Sequence, residues 1–222
     1  MTQADLKFLK ALAKNNDREW FNSHKSEFET ARDNFLHLVS AFIFGMGDID
    51  ESIAGVEPAS CLFRIYRDVR FSKNKAPYKT HLGAFISSAG RKGFNTPGYY
   101  LHIEPGGESV FGSGLYMPDK DLLAAVRREL SAPNSRVAAV FADKKLRAAF
   151  PQVLEDDKVT RVPRGFDPQS PRAELLKLRH FSVFARLPDT QVTNRKLVQQ
   201  LLSKAPLLKH FNDTLTQATR TR

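Results

Sequence analysis

The sequence predicts an α+β fold: a single antiparallel meander of about four to five strands, flanked by helices, with a long N-terminal helix and a helical C-terminus. Three observations predict it. A helical stripe of apolar residues dominates positions 1–47. A two-residue period takes over within 60–117, broken by closely spaced Gly and Pro. The helical period then returns beyond Pro118. The 222 residues are read as a single domain, 1–222, made of these N-terminal helices, the sheet and a helical and mixed part over 118–222.

The elements follow in order. Leu6, Leu9 and Leu12 recur at helical spacing, Asn15-Asn16 stops that helix, and Asp17 is placed to cap the next. From Arg18 onward Trp20, Phe28, Ala31, Phe35, Leu38 and Phe42 form one stripe up to Gly45-Met46-Gly47, which predicts a continuous amphipathic helix. His24, four residues from both Trp20 and Phe28, lies on or beside that stripe. Beyond Pro58 the period becomes two. Phe63, Ile65, Val69 and Phe71 share one side of an expected strand, and Arg67 falls on the same side by parity. Strand-like runs follow at Leu82 to Ser87, Tyr99 to Glu104 and Val110 to Tyr116, with turns at Pro97-Gly98 and Pro105-Gly106-Gly107. Asp119 caps a helix carrying Leu122, Leu123 and Val126, and helical stretches recur at 136–141 and 144–150. A strand-like Phe181 to Leu187 precedes two terminal helices, expected from about Thr193 and from Pro206.

Composition narrows the function classes. With 41% hydrophobic and 26% charged residues the chain can bury a core, which excludes wholesale disorder. Cys61 is the only cysteine, so neither an intrachain disulfide nor a multi-cysteine zinc site can form, and a cytoplasmic protein is expected. Met1 to Lys14 has no signal-peptide pattern. The most apolar stretch, Phe35 to Met46, is interrupted by His37 and Ser40 and is too short to span a bilayer, so no membrane partner is expected. There is no Walker or Gly-x-Gly-x-x-Gly motif and no nucleophile elbow. The net charge of +10 favours anionic partners, either a small, perhaps phosphorylated, molecule or a nucleic acid.

Half of that charge lies between Arg64 and His81. There Arg64, Arg67, Arg70, Lys73, Lys75 and Lys79 face the single carboxylate of Asp68. Guanidinium groups interleaved with Tyr66, Phe71 and Tyr78 suit a phosphate, which nominates Arg64, Arg67, Asp68, Arg70, Lys75 and Tyr78 as ligand-binding residues, with His24 in reserve. The same residues also suit a surface that tracks a nucleic-acid backbone, extended by the basic stretch Arg161 to Arg186, or an Arg67–Asp68 network that merely fixes the sheet.

This stretch resembles a mainly bacterial family of domains of unknown function. Its signature is approximately R-x-x-R-D-x-R-F followed by D or N and K-x-x-Y. It is met here by Arg64, Arg67, Asp68, Arg70, Phe71, Asn74, Lys75 and Tyr78, with Asn74 standing where members similar to this chain often carry Asp. The resemblance also covers Asn16 to Phe21 with His24-Lys25, Tyr99 to Gly106, and Gly165-Phe166-Asp167 leading to Glu174-Leu175-Leu176. It implies membership and carries no activity.

A second constellation is His102 and Glu104, which strand spacing puts on one face with Tyr100. They are the expected proton-transfer residues if the protein is an enzyme. A metal would need a third ligand from His81 or His24, so no metal and no cofactor is assigned. Gly112 and Gly114, on the neighbouring strand, leave that face unobstructed, which predicts a cavity there.

Overall fold

The computed structural model describes residues 1–93 and 95–220. Helix α1 (Gln3–Lys14) opens with a Thr2/Asp5 capping box and ends at Asn15. Asp17 caps α2 (Arg18–Ser23) through the amide of Trp20. The expected continuous helix is broken at His24, whose backbone N–H reaches the carbonyls of Trp20 and Phe21 and whose Nδ1 lies 2.8 Å from the Trp20 carbonyl. That tight turn restarts the chain as α3 (Lys25–Gly45). After α4 (Pro58–Cys61) come strands β1 (Leu82–Ile86), β2 (Gly98–Ile103) and β3 (Ser109–Leu115), then helices α5 (Lys120–Ser131), α6 (Arg136–Ala142) and α7 (Lys144–Ala149). The remainder is β4 (Gln152–Val153), α8 (Ala173–Leu176), β5 (Phe181–Leu187), α9 (Asp189–Val192) and α10 (Leu197–Arg220). Pro206 lies inside α10 rather than starting a new helix. No helix of the described residues is long and apolar enough to cross a membrane.

The sheet is antiparallel with order β1-β2-β3-β5-β4, so β5 inserts between β3 and the short edge strand β4. One face carries Tyr99, Leu101, Phe111, Leu115, Phe181 and Val183, all buried. The helical layer covers it: Phe42 of α3 meets Tyr99 and Phe111 edge-on at 5.9 and 5.5 Å, and α10 packs along β3. Burying an aromatic or aliphatic side chain contributes about 1.5–3 kcal/mol, so this face holds the molecule together. Registered pairs put Phe85, Tyr100, Gly112 and Phe184 in one row on the opposite face, with His102 and Val110 beside them. Among the described residues, those that line the cavity on this face come from strands and connecting segments and none from a helix.

The run 63–71 does not join the sheet as a strand. Residues 62–67 instead run back along 77–84, through bridges Leu62–Ala84 and Tyr66–Tyr78 and the bonds Phe63 N–H to Gly83 O and Lys79 N–H to Ile65 O. The alternation in sequence therefore marks the arm of an irregular hairpin. Its inner residue Ile65 is buried, while Phe71 at the tip is 96% exposed.

Candidate functional site

The sheet face that carries Tyr100 and Gly112 holds a cavity of about 430 Å³, within the range of small-molecule sites. Its floor is the sheet at Gly98, Tyr100, Gly112 and Phe184, and one wall is the chain entering β1, with Lys79 and His81. Glycine is required at Gly112, where a Cβ would come within 2.1 Å of the Val183 carbonyl and 2.7 Å of Phe184 Cβ. The expected cavity over the glycine strand is thus present, and it exists because β3 and β5 approach too closely for a side chain.

The residues at one end of the cavity are wired together. Glu104 accepts from Thr80 Oγ1 at 2.7 Å and lies 2.8 Å from His102 Nε2, while His102 Nδ1 lies 3.1 Å from the Tyr100 hydroxyl. A carboxylate can only accept, so Nε2 carries the imidazole proton and Nδ1 accepts from Tyr100. The His81 ring stacks on His102 at 4.1 Å, and its nitrogens have no hydrogen-bond partner among the described residues. Gly83 packs beneath this arrangement, where a Cβ would stand at ordinary contact distance, 3.6 Å from the Tyr100 hydroxyl and 3.8 Å from the His81 ring.

Burial sets the protonation states. It pushes His81 down to about 4, helped by His102 and Lys79 and opposed by Glu104. Burial also lowers His102, against the pull of Glu104, and raises the Tyr100 hydroxyl to about 12. For Glu104 burial acts upward, but the hydrogen bonds from Thr80 and His102 outweigh it and hold the carboxyl below its ordinary value. Lys79 is lowered by burial and then by Arg64; its ammonium sits 5.2 Å from the Phe63 ring and has no carboxylate partner among the described residues. At neutral pH the site therefore presents two neutral imidazoles, an ionised carboxylate and an unpaired ammonium.

The structure brings together only some of the residues singled out in the sequence. His102 and Glu104 stand behind the cavity, and Tyr100, His81 and Lys79 are the side chains that reach it. Arg67 is folded into the hairpin, donating to the Ala76 carbonyl at 3.0 Å, and Lys75 donates to the Val69 carbonyl. Asp68 and Arg70 pair with each other on the surface, the guanidinium holding the Asp68 carboxyl at about 2. Tyr78 is buried, stacked on Phe21 at 4.0 Å, and its backbone is bracketed by the Asn16 side-chain amide. Arg64 lines a separate groove between α3 and the hairpin base, shared with Arg32 and Arg91. His24 stacks on Trp20 at 4.0 Å and does not join the His81–His102 cluster. In the 161–186 stretch Arg186 pairs with Glu108, Lys177 with Glu174, and Arg172 holds main-chain carbonyls.

Sequence reading offered Lys79 only as an alternative to Lys75 for a point charge beside the guanidinium groups and did not single out Thr80. A usable signal was present: Lys79, His81 and Gly83 alternate, and Gly83 lies directly across from His102, which puts all three on the Tyr100 face.

With this geometry in hand, the family can be stated. A family model described as conserved hypothetical protein (DUF2461) matches residues 4–213. The chain belongs to this family. Its match spans the helical layer, the basic hairpin and all five strands, so the cavity lies wholly within the family domain. No curated protein and no solved structure matches the chain.

Proposed function

We propose that the open sheet face binds a small anionic molecule with an apolar body, its charged end against Lys79, His81 and Tyr100. One observation carries this reading: Lys79 holds a half-buried ammonium on the cavity wall with no carboxylate to neutralise it. A charge removed from water needs a counter-ion, and the cavity is where one can arrive. The apolar lining from Phe63, Phe85, Val110 and Phe184 suits an aryl or alkyl body, and the Tyr100 hydroxyl, which donates to His102 Nδ1, lies at the polar end of the cavity. A phosphate or carboxylate is the expected charged end. A reducing cytoplasm suits the single buried thiol of Cys61.

The test is a thermal-shift and calorimetric panel of aryl and alkyl phosphates and carboxylates at two salt concentrations. A ligand at 100 times its dissociation constant adds about 2.7 kcal/mol to stability. Stabilisation that survives added salt and is lost in Lys79→Met supports the reading; equal binding by both proteins overturns it.

A second reading, a nucleic-acid surface, is supported by the hairpin tip. There Phe71 is 96% exposed and Tyr66 53% exposed among basic side chains, a pairing suited to stacking on unpaired bases. Binding of short oligonucleotides that weakens steeply with salt and is lost in Phe71→Ala would favour it.

A further inference from the structure

We propose that His81, His102 and Glu104 form a site for a divalent transition-metal cation of the zinc type at the end of the open-face cavity. One ligand atom from each of the three lies within 4.8 Å of the other two. Two imidazoles and a carboxylate are a donor set that zinc and its neighbours favour, and three protein ligands leave a position open for a further ligand. The inference rests on the cavity being a ligand site and deepens it, because the anionic group would take that open position beside Lys79.

The supporting contacts are those a metal ligand needs. A coordinating imidazole requires its second nitrogen to be held, and the Tyr100 hydroxyl holds His102 Nδ1 at 3.1 Å. A coordinating carboxylate requires its other oxygen to be fixed, and Thr80 fixes Glu104 Oε1 at 2.7 Å. His102 projects from β2, Glu104 from the residue that follows its last position, and His81 from the chain entering β1 two residues before Gly83, which is registered with His102. One donor therefore stands within a strand and the other two directly at strand ends.

The third donor, His81, stacks on the His102 ring and makes no hydrogen bond among the described residues. Tetrahedral donors around zinc lie roughly 3.3–3.5 Å apart, so His81 has to close in by up to roughly 1.5 Å through its side-chain torsions, while the His102–Glu104 pair at 2.8 Å opens to admit the cation. Binding also balances in protons. The cation takes the place of the proton between His102 Nε2 and Glu104 Oε2, and that proton moves to Nδ1, which then donates to the Tyr100 oxygen. No net proton is released.

The experiment uses the full chain stripped with a chelator and titrated with Co²⁺, followed by visible absorption, with Zn²⁺ calorimetry in parallel. One equivalent with tetrahedral cobalt bands is expected. Affinity should fall at least about 100-fold in His81→Ala and Glu104→Gln, and about 10-fold or more in Tyr100→Phe. Because His81→Ala breaks no hydrogen bond, it carries the test even if a His102 variant fails to fold. Absence of a one-equivalent site, or equal cobalt affinity in wild type and His81→Ala, overturns the proposal. Phenyl phosphate then separates the two readings. If it stabilises the stripped protein while cobalt finds no site, the metal inference alone fails. If cobalt binds as expected and phenyl phosphate neither shifts its spectrum nor adds stability, the anion reading fails and the metal site stands.

Discussion

The basic hairpin and the open-face cavity handle charge in opposite ways. At the hairpin Arg67 and Lys75 spend their donors on carbonyls of their own loop, and Arg70 is matched by Asp68. In the cavity the Lys79 ammonium and the His81 imidazole stand without such partners among the described residues, beside a carboxylate already committed to Thr80 and His102. The region with more charge is thus the more self-contained one. Dense charge in a loop can be what holds the loop, whereas a polar group left unmatched in a concavity is the better guide to a ligand.

Five measurements test this difference between hairpin and cavity. The largest effect is expected at the cavity floor. Gly112→Val drives a side chain into the Val183 carbonyl, so unfolding experiments should show a loss of several kcal/mol or no folded protein at all. A variant as stable as wild type would mean that the strands do not approach as described.

Next is pH. The unfolded chain protonates His81 near pH 6.5, while the fold holds it neutral until about 4, so the unfolded state binds more protons in between. Stability of the chelator-treated protein should therefore fall as pH drops through this window, by roughly 2–3 kcal/mol, and the loss should be complete below it. Lys79 and His102 deepen the effect and Glu104 opposes it, so His81→Asn should flatten the slope. A flat profile in wild type would place His81 in water.

Third, Arg67→Ala should cost about 1.5–3 kcal/mol, the range for a charged hydrogen bond, while leaving ligand affinity in the cavity unchanged. Lys79→Met should do the reverse, weakening the anionic ligand by at least about 10-fold with no fall in melting temperature. If these two variants exchange their phenotypes, the contrast is wrong. Smallest is Asp68→Asn: the pair with Arg70 is on the surface, so calorimetry should find the melting temperature unchanged.

What could be read from the sequence was local. Asp17 and Asp119 were legible as caps because a cap needs only its own next few residues. Tyr100, His102 and Glu104 were legible as one face because strand parity is fixed by the backbone. The same rule misled at 63–71, where alternation came from a hairpin arm packed on one side and not from the sheet. Pro206 was read as a helix start, yet α10 runs through it, because packing against the sheet and neighbouring helices outweighs one missing amide donor. Lys79 could not be preferred to Lys75 because charge carries no direction in a sequence. Its lack of a partner is a property of the folded molecule alone.

The place of β5 between β3 and β4 has a consequence for biosynthesis. A chain emerging from the ribosome can pair β1, β2 and β3 early, but β3 keeps one bare edge until Phe181–Leu187 has been made. Nascent chains that stall or are cut within that interval would carry an unsatisfied strand rich in Phe and Gly, open to pairing with a neighbour. Because Ser182 and Phe184 also complete the cavity wall, ligand binding is a late marker of synthesis. A stabilising ligand could rescue only chains that have passed that point.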